Sequence, residues 1–274
     1  MLNQIMAKAF LVIFIFLSVS VENSARSDSN SILQEGLNAY QAGQYDKARS
    51  AFTELKNDRR WSFASLYNLG NVAARQKRYG EALALYRLAL EKKPMDPDTR
   101  ANIAFVLNTL GIREFPGARG SWELYRVEIL NSLTIDQILA AFFITFFFFL
   151  FNLFKFLKKR KLAAYSEEPL FVRPPVIFYL WLALLIFVST TSIAKIADGY
   201  IERATVVASA KTDLRSGPGE SNASLAELNE GFEVQVQDES DGWRQVVALN
   251  GARAGLTGWV KSDALMSTSG GGPW

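Results

Sequence analysis

Apolar and polar positions divide the chain into stretches of different rhythm. Ala9 to Val21, "AFLVIFIFLSVSV", is an apolar stretch interrupted only by two serines near its end, whereas residues 31–111 carry apolar positions at helical spacing in a polar background. Two longer apolar runs come next at 135–157 and 176–196, and beyond Tyr200 short segments alternate strictly, as in "FEVQVQ", Phe232 to Gln237. A period near 3.6 predicts helices and a period of 2 predicts strands, so the expected order is helical array, apolar helix pair, small β domain.

The first run comes after a short polar lead with Lys8 and carries the small residues Ser18, Ser20 and Ala25 at and beyond its end. It is shorter than the roughly 20 residues a membrane span needs, which favours a signal peptide over residues 1–25 and delivers the helical segment after it outside the cytoplasm. Whether that peptide is cleaved is open. Residues 135–157 and 176–196 are each long enough to span, and Thr134 stands three residues before Gln137 as a capping box for the first. The intervening loop, 158–175, holds Lys158, Lys159, Arg160, Lys161 and Arg173 against Glu167 and Glu168. Short loops rich in lysine and arginine stay cytoplasmic, so the pair is expected to form a hairpin with its tip inside and both chain ends outside. A buried hairpin of a soluble protein is the competing reading. Thr145, Asn152 and Ser189 are candidates for hydrogen bonds between the helices. In the juxtamembrane segment, 112–133, Trp122, Tyr125 and Ile129 form a stripe suited to the headgroup zone or to packing on the helical array.

Within 31–111 a 34-residue period appears. Gly36 recurs as Gly70, Tyr45 as Tyr79, Ala48 as Ala82 and Phe52 as Tyr86; Leu55 is answered by Ala89, and Pro94 closes the second unit. These positions resemble the tetratricopeptide repeat (TPR), in which small residues let two antiparallel helices approach while aromatic rings fill the gap. Ala39 and Ala73 depart from the pattern, standing where the family has a larger aromatic residue, and Glu35 replaces a leucine. Asp98 to Gly111 reads as the first helix of a third repeat, without its partner, acting as a cap. In that register Asn68, Asn71, Arg75 and Asn102 face the inner groove, where side-chain amides can bond an extended peptide. A plain solvated helix face is the competing reading for each.

Beyond Tyr200, Asp241-Gly242 and Asn250-Gly251 mark hairpin turns, and Trp243, Val247, Trp259 and Val260 are expected in the core. "LRSGPG" (Leu214, Arg215, Ser216, Gly217, Pro218, Gly219), "GWRQV" and "GWVKSDAL" resemble a bacterial SH3 domain across 200–266, with Asp213 where the family has asparagine. Such domains bind cell-wall peptides in some proteins and other proteins elsewhere. Residues 267–274, ending in Trp274, read as a flexible tail. The expected fold class is therefore a multidomain membrane protein: an α-helical TPR solenoid, a two-helix transmembrane hairpin and a small all-β SH3-like barrel.

Composition narrows the chemistry. Among 274 residues there is no cysteine and no histidine, which removes disulfides, thiolate and imidazole metal sites, and histidine-dependent catalysis. No cofactor or metal is expected, and the scattered carboxylates Asp213, Glu227 and Asp263 read as acidic surface, not a catalytic pair. The net charge of +3 comes from basic residues many of which flank apolar runs, so no nucleic-acid partner is expected. Domain order resembles the E-type proteins of bacterial Bat (aerotolerance) operons. That resemblance implies a non-catalytic scaffold or adaptor at the outer face of the bacterial inner membrane, with TPR and SH3 segments on the periplasmic side. Its implied partners are envelope proteins, including von Willebrand factor A domain proteins, beside membrane lipid and a MoxR-type ATPase. The alternative is a cell-wall receptor that binds peptidoglycan peptides through the SH3 domain.

Overall fold

The structure is a computed structural model that describes residues 29–56, 62–112, 125–126, 129–165, 172–249 and 253–269. The proposed signal peptide, Trp122, the Asn250-Gly251 turn and Trp274 lie outside the described residues. Residues 29–41 form α1, followed by α2 (Tyr45–Leu55), α3 (Ser62–Arg75), α4 (Tyr79–Lys92) and α5 (Pro97–Thr109). Their core holds Ala48, Phe52, Val72, Ala82, Leu83, Tyr86, Ala89 and Val106, all at most 1 % exposed.

The repeat period is visible as packing. A Cβ on Gly36 would lie 2.5 Å from the Phe52 ring, and one on Gly70 would lie 2.5 Å from the Tyr86 ring, so each glycine is the floor on which an aromatic side chain rests. The α1–α2 turn passes through Gly43 at φ +74°, and its counterpart 34 residues on, Lys77, takes the same left-handed conformation at φ +60°. α5 starts on an Asp96 cap, whose carboxylate accepts from the Thr99 backbone N–H at 3.0 Å and from the Thr99 hydroxyl at 2.7 Å.

Two long apolar helices come next, α6 (Ile135–Ala164) and α7 (Val176–Gly199). Thr134 and Gln137 form the capping box at the start of α6, each side chain bonding the other's backbone N–H. Where the sequence suggests a helix ending near Leu157, α6 runs on through the basic cluster to Ala164, because Leu157 to Ala164 contains only helix-compatible residues and no breaker. At 1.5 Å per residue its 30 residues reach about 45 Å. Likewise α7 extends past 196 to Gly199. Asn152 donates to the Phe148 carbonyl and Ser189 to the Leu185 carbonyl, each one turn back in its own helix; the expected bonds across the pair are replaced by local ones. Tyr125 Oη donates to Thr191 Oγ1 at 2.8 Å and Lys195 Nζ to the Leu130 carbonyl at 2.7 Å, so this part of the juxtamembrane segment packs on α7.

The C-terminal domain is one antiparallel seven-stranded sheet, in the order β3-β2-β6-β5-β4-β1-β7. Its strands are β1 (Arg203–Val206), β2 (Thr212–Arg215), β3 (Ser224–Leu228), β4 (Glu233–Ser240), β5 (Trp243–Ala248), β6 (Thr257–Lys261) and β7 (Leu265–Ser269). β7 takes in Ser267 to Ser269, which the sequence assigns to the tail. Asp241 and Gly242, at φ +49° and +78°, make the two-residue turn between β4 and β5. Ala204, Val206, Leu214, Leu228, Val234, Val246 and Val260 fill the interior. Val247 and Trp259, expected there, are only half-buried. A register shift between Val236 and Asp238 accompanies β5, where Trp243, Val246 and Ala248 are the buried positions; on β6 the inward positions are Gly258 and Val260.

All four residues of β1 are buried. Ala204 and Val206 enter the barrel core, while Thr205 faces α4 and Arg203 meets Asp198 of α7.

Candidate functional site

The four groove residues proposed from sequence come together on one face built by α1, α3 and α5. Asn102 Nδ2 donates to Asn71 Oδ1 at 3.1 Å and to Tyr67 Oη at 3.4 Å; Asn71 Nδ2 reaches Asn68 Oδ1 at 3.5 Å. From behind, Tyr86 Oη donates to the same Asn71 oxygen at 2.8 Å. Burial, followed by the neighbouring Tyr67 and Tyr40, pushes the Tyr86 hydroxyl well above the usual tyrosine range, so it stays protonated and able to donate. Asn68 Nδ2 bonds the Ala64 carbonyl one turn back at 2.9 Å. Exposed Arg75 donates through Nε to Tyr40 Oη at 3.1 Å, which joins α3 to α1.

Sequence reasoning missed the aromatic share of this face. Phe63 stacks on Tyr67 with ring centroids 6.1 Å apart, and Lys93 Nζ lies 5.0 Å over the Phe63 ring. Tyr40 meets Tyr45 edge-on at 5.8 Å. The signal was present in Tyr67, which takes a position facing Asn102 one repeat on, but aromatic residues at helical spacing read equally well as core. The result is a surface of rings, oriented amides and one guanidinium. Among the described residues nothing bonds Asn102 Oδ1 or the two terminal nitrogens of Arg75.

A second set of expected residues turns out to organise a loop. The Arg215 guanidinium donates to the carbonyls of Glu220 and Asn222, at 2.7 and 2.8 Å, and pairs with Asp213 at 2.7 Å. Leu214 is core, and Gly217 sits so close to Asn222 that a Cβ would approach it to 3.1 Å. Asn222 Nδ2 closes the loop on the Pro218 carbonyl at 2.9 Å, and the Ser216 N–H donates to the Ala223 carbonyl at 3.0 Å. Trp259 lies directly across from Arg215 on the outer sheet face, with Gln245 on its other side. Buried Trp243 carries Lys261 5.8 Å over its ring, and Lys261 also pairs with Glu220. Of the carboxylates, Asp213 pairs with Arg215, Glu227 with Lys211, and Asp263 is exposed. Among the described residues no group of acidic side chains is arranged to hold a metal ion.

The helical array and the barrel are joined by a packed interface, which the sequence does not reveal. Arg87 Nη1 donates to Thr205 Oγ1 at 2.6 Å and Arg87 Nη2 lies 3.5 Å from Glu233. Glu230 reaches from the β3–β4 turn to accept the Gly80 N–H at 2.6 Å, which satisfies a free donor in the first turn of α4 with a carboxylate. A Cβ on Gly80 would stand 2.4 Å from the Val206 carbonyl, and one on Gly231 2.6 Å from Leu110. Met266 packs against the helical core. The barrel thus uses α4 and the end of α5, leaving the face of rings and amides open.

Residues 33–97 match the tetratricopeptide repeat family, and residues 208–266 match the bacterial SH3 domain family. No curated protein matches the chain. Both domains are interaction modules. The matched SH3 segment leaves out β1, which with β7 forms the barrel's side of the contact with α4.

Proposed function

We propose that the chain is a non-catalytic adaptor which holds a peptide-docking face at the outer surface of a bacterial inner membrane. One observation carries the reading: the amides, rings and guanidinium on α1, α3 and α5 are ordered by one another and point away from the barrel. Such a surface suits an extended segment whose backbone exchanges hydrogen bonds with amides while its side chains rest on rings.

The membrane placement is supported by α6 and α7, each with an apolar window of which only 11 % is buried in the protein. Apolar surface of that extent needs a lipid or protein environment. The cations of Lys158 to Lys161 at their joined end favour a cytoplasmic tip, which puts both interaction domains outside. The domain order further suggests a Bat-type envelope system, with von Willebrand factor A domain proteins as partners. Direct binding of peptidoglycan through the barrel is the second reading, favoured by the half-buried Trp259 beside Arg215.

The two readings separate in a detergent-solubilised pull-down of the tagged full chain. Point variants are preferable to deletions, because removing either domain strips the α4 interface. Loss of bound envelope proteins with Asn71→Ala, Arg75→Ala and Asn102→Ala combined supports the adaptor. If that variant retains every protein while Trp259→Ala releases cell-wall fragments, the receptor reading replaces it.

A further inference from the structure

Each complete repeat closes in the same way: a ring from its second helix rests on a glycine of its first, Phe52 on Gly36 and Tyr86 on Gly70. Four residues before each ring stands a fully buried alanine, Ala48 and Ala82. Thirty-four residues further along, Ala104 on α5 is the counterpart of those glycines.

Here the surface is open. Leu33, Gly36 and Leu37 on α1, and Tyr67, Gly70 and Asn71 on α3, are buried or half-buried, but their counterparts Ala101, Ala104 and Phe105 are all exposed. Phe105 is 64 % exposed, although the opposite face of the same helix buries Val106 and Leu107. The chain's own residues in the register of Tyr45, Ala48 and Phe52 are Arg113, Pro116 and Gly120. Proline inside a helix and glycine in place of a ring cannot supply that pattern.

We propose that the outer face of α5 docks an amphipathic helix from another protein, one that presents a small residue and, four positions later, an aromatic ring. The site continues the stack of α3 and α4 by one element, so the partner is specified by the interface it extends: ring over Ala104, small residue against the helix, apolar flank on Phe105. It adjoins the amide-lined face, since Asn102 lies three residues before Phe105 on α5, but the proposal does not depend on what that face binds.

The probe is a fluorescent peptide with the sequence of α4, YGEALALYRLALEK, which carries Ala82 and Tyr86 in the required spacing. It is titrated against the full chain in detergent micelles and followed by anisotropy. Saturable binding is expected, tightened several-fold by Ala104→Gly, which restores the glycine floor, and weakened about tenfold by Ala104→Arg or by alanine at the peptide position of Tyr86. Phe105→Asp gives a second loss-of-binding variant, and thermal melts establish that these exposed-site variants remain folded. Equal binding by the native chain and Ala104→Arg, or no saturation at millimolar peptide, overturns the proposal. A photo-crosslinker at position 105 in cells gives the final discrimination: adducts with another protein through such a helix support it, while adducts within the chain or to a second copy overturn it.

Discussion

At the scale of single residues, three positions show how local chemistry sets stability. Lys77 occupies a left-handed conformation that its counterpart Gly43 adopts without strain. A Cβ there costs about 1–2 kcal/mol, and glycine returns about 0.5–1 kcal/mol of that through the entropy of the unfolded chain. Lys77→Gly is therefore expected to stabilise by up to about 1 kcal/mol, read as a higher urea midpoint. Gly70→Ala has the opposite sign, since the added carbon meets a Tyr86 ring that is 1 % exposed and cannot swing aside. A loss of about 1–3 kcal/mol is expected in the same measurement. For Asp96, burial acts to raise the carboxyl pKa, but bonds from Lys93 and Thr99 outweigh it and hold the group below the usual range. With the folded pKa below the unfolded one, its contribution is present above the unfolded value and disappears as pH falls through the folded value. Asp96→Asn keeps a capping oxygen without the charge, so the Tm difference from the native chain should be largest near neutral pH and shrink as the pH falls below the ordinary aspartate value of about 3.9.

Among elements, α4 has two employments that sit side by side. Tyr86 sends its hydroxyl to Asn71 on the amide-lined face, and the next residue, Arg87, holds Thr205 and Glu233 of the barrel. The α7–β1 connection is equally tight, with Arg203 and Asp198 bonded at 2.6 and 3.3 Å and side chains only 10 % and 8 % exposed. Breaking one half of a buried ion pair strands the other charge, so Arg203→Met should destabilise the barrel by about 3–5 kcal/mol, whereas replacing both residues by apolar ones should cost much less. Comparing the single and double variants by denaturant unfolding measures the difference.

For the whole molecule, these contacts make the TPR region and barrel one body. Gly80→Val places side-chain atoms where the Val206 carbonyl stands 2.4 Å from a Cβ, and should split a single calorimetric transition of helices and barrel into two. The proposed topology is tested separately. Because the chain has no cysteine, single substitutions report sidedness cleanly. Asp241→Cys should react with an impermeant maleimide on spheroplasts, and Lys159→Cys only after permeabilisation. Labelling of Lys159→Cys on intact spheroplasts would reverse the orientation.

Sequence by itself determined what is periodic or local. The 34-residue recurrence, the alternating strands, the apolar helices, the Thr134–Gln137 box and the Asp241-Gly242 turn arise from short-range sterics and burial patterns that each segment carries alone. It also brought Asn68, Asn71, Arg75 and Asn102 to one face, because a repeat fixes which side of each helix looks inward. Tertiary structure decided the rest. Whether Tyr67 was core or surface, whether Val247 on β5 pointed in or out past a register shift, and that Glu230 caps α4 from 150 residues away all depend on contacts between segments. Gly80 illustrates the limit: in sequence it is a weak helix residue, and only the approach of Val206 shows the space it leaves to be the seam between two domains. Periodicity is written in one segment at a time, while a seam exists only when two of them meet.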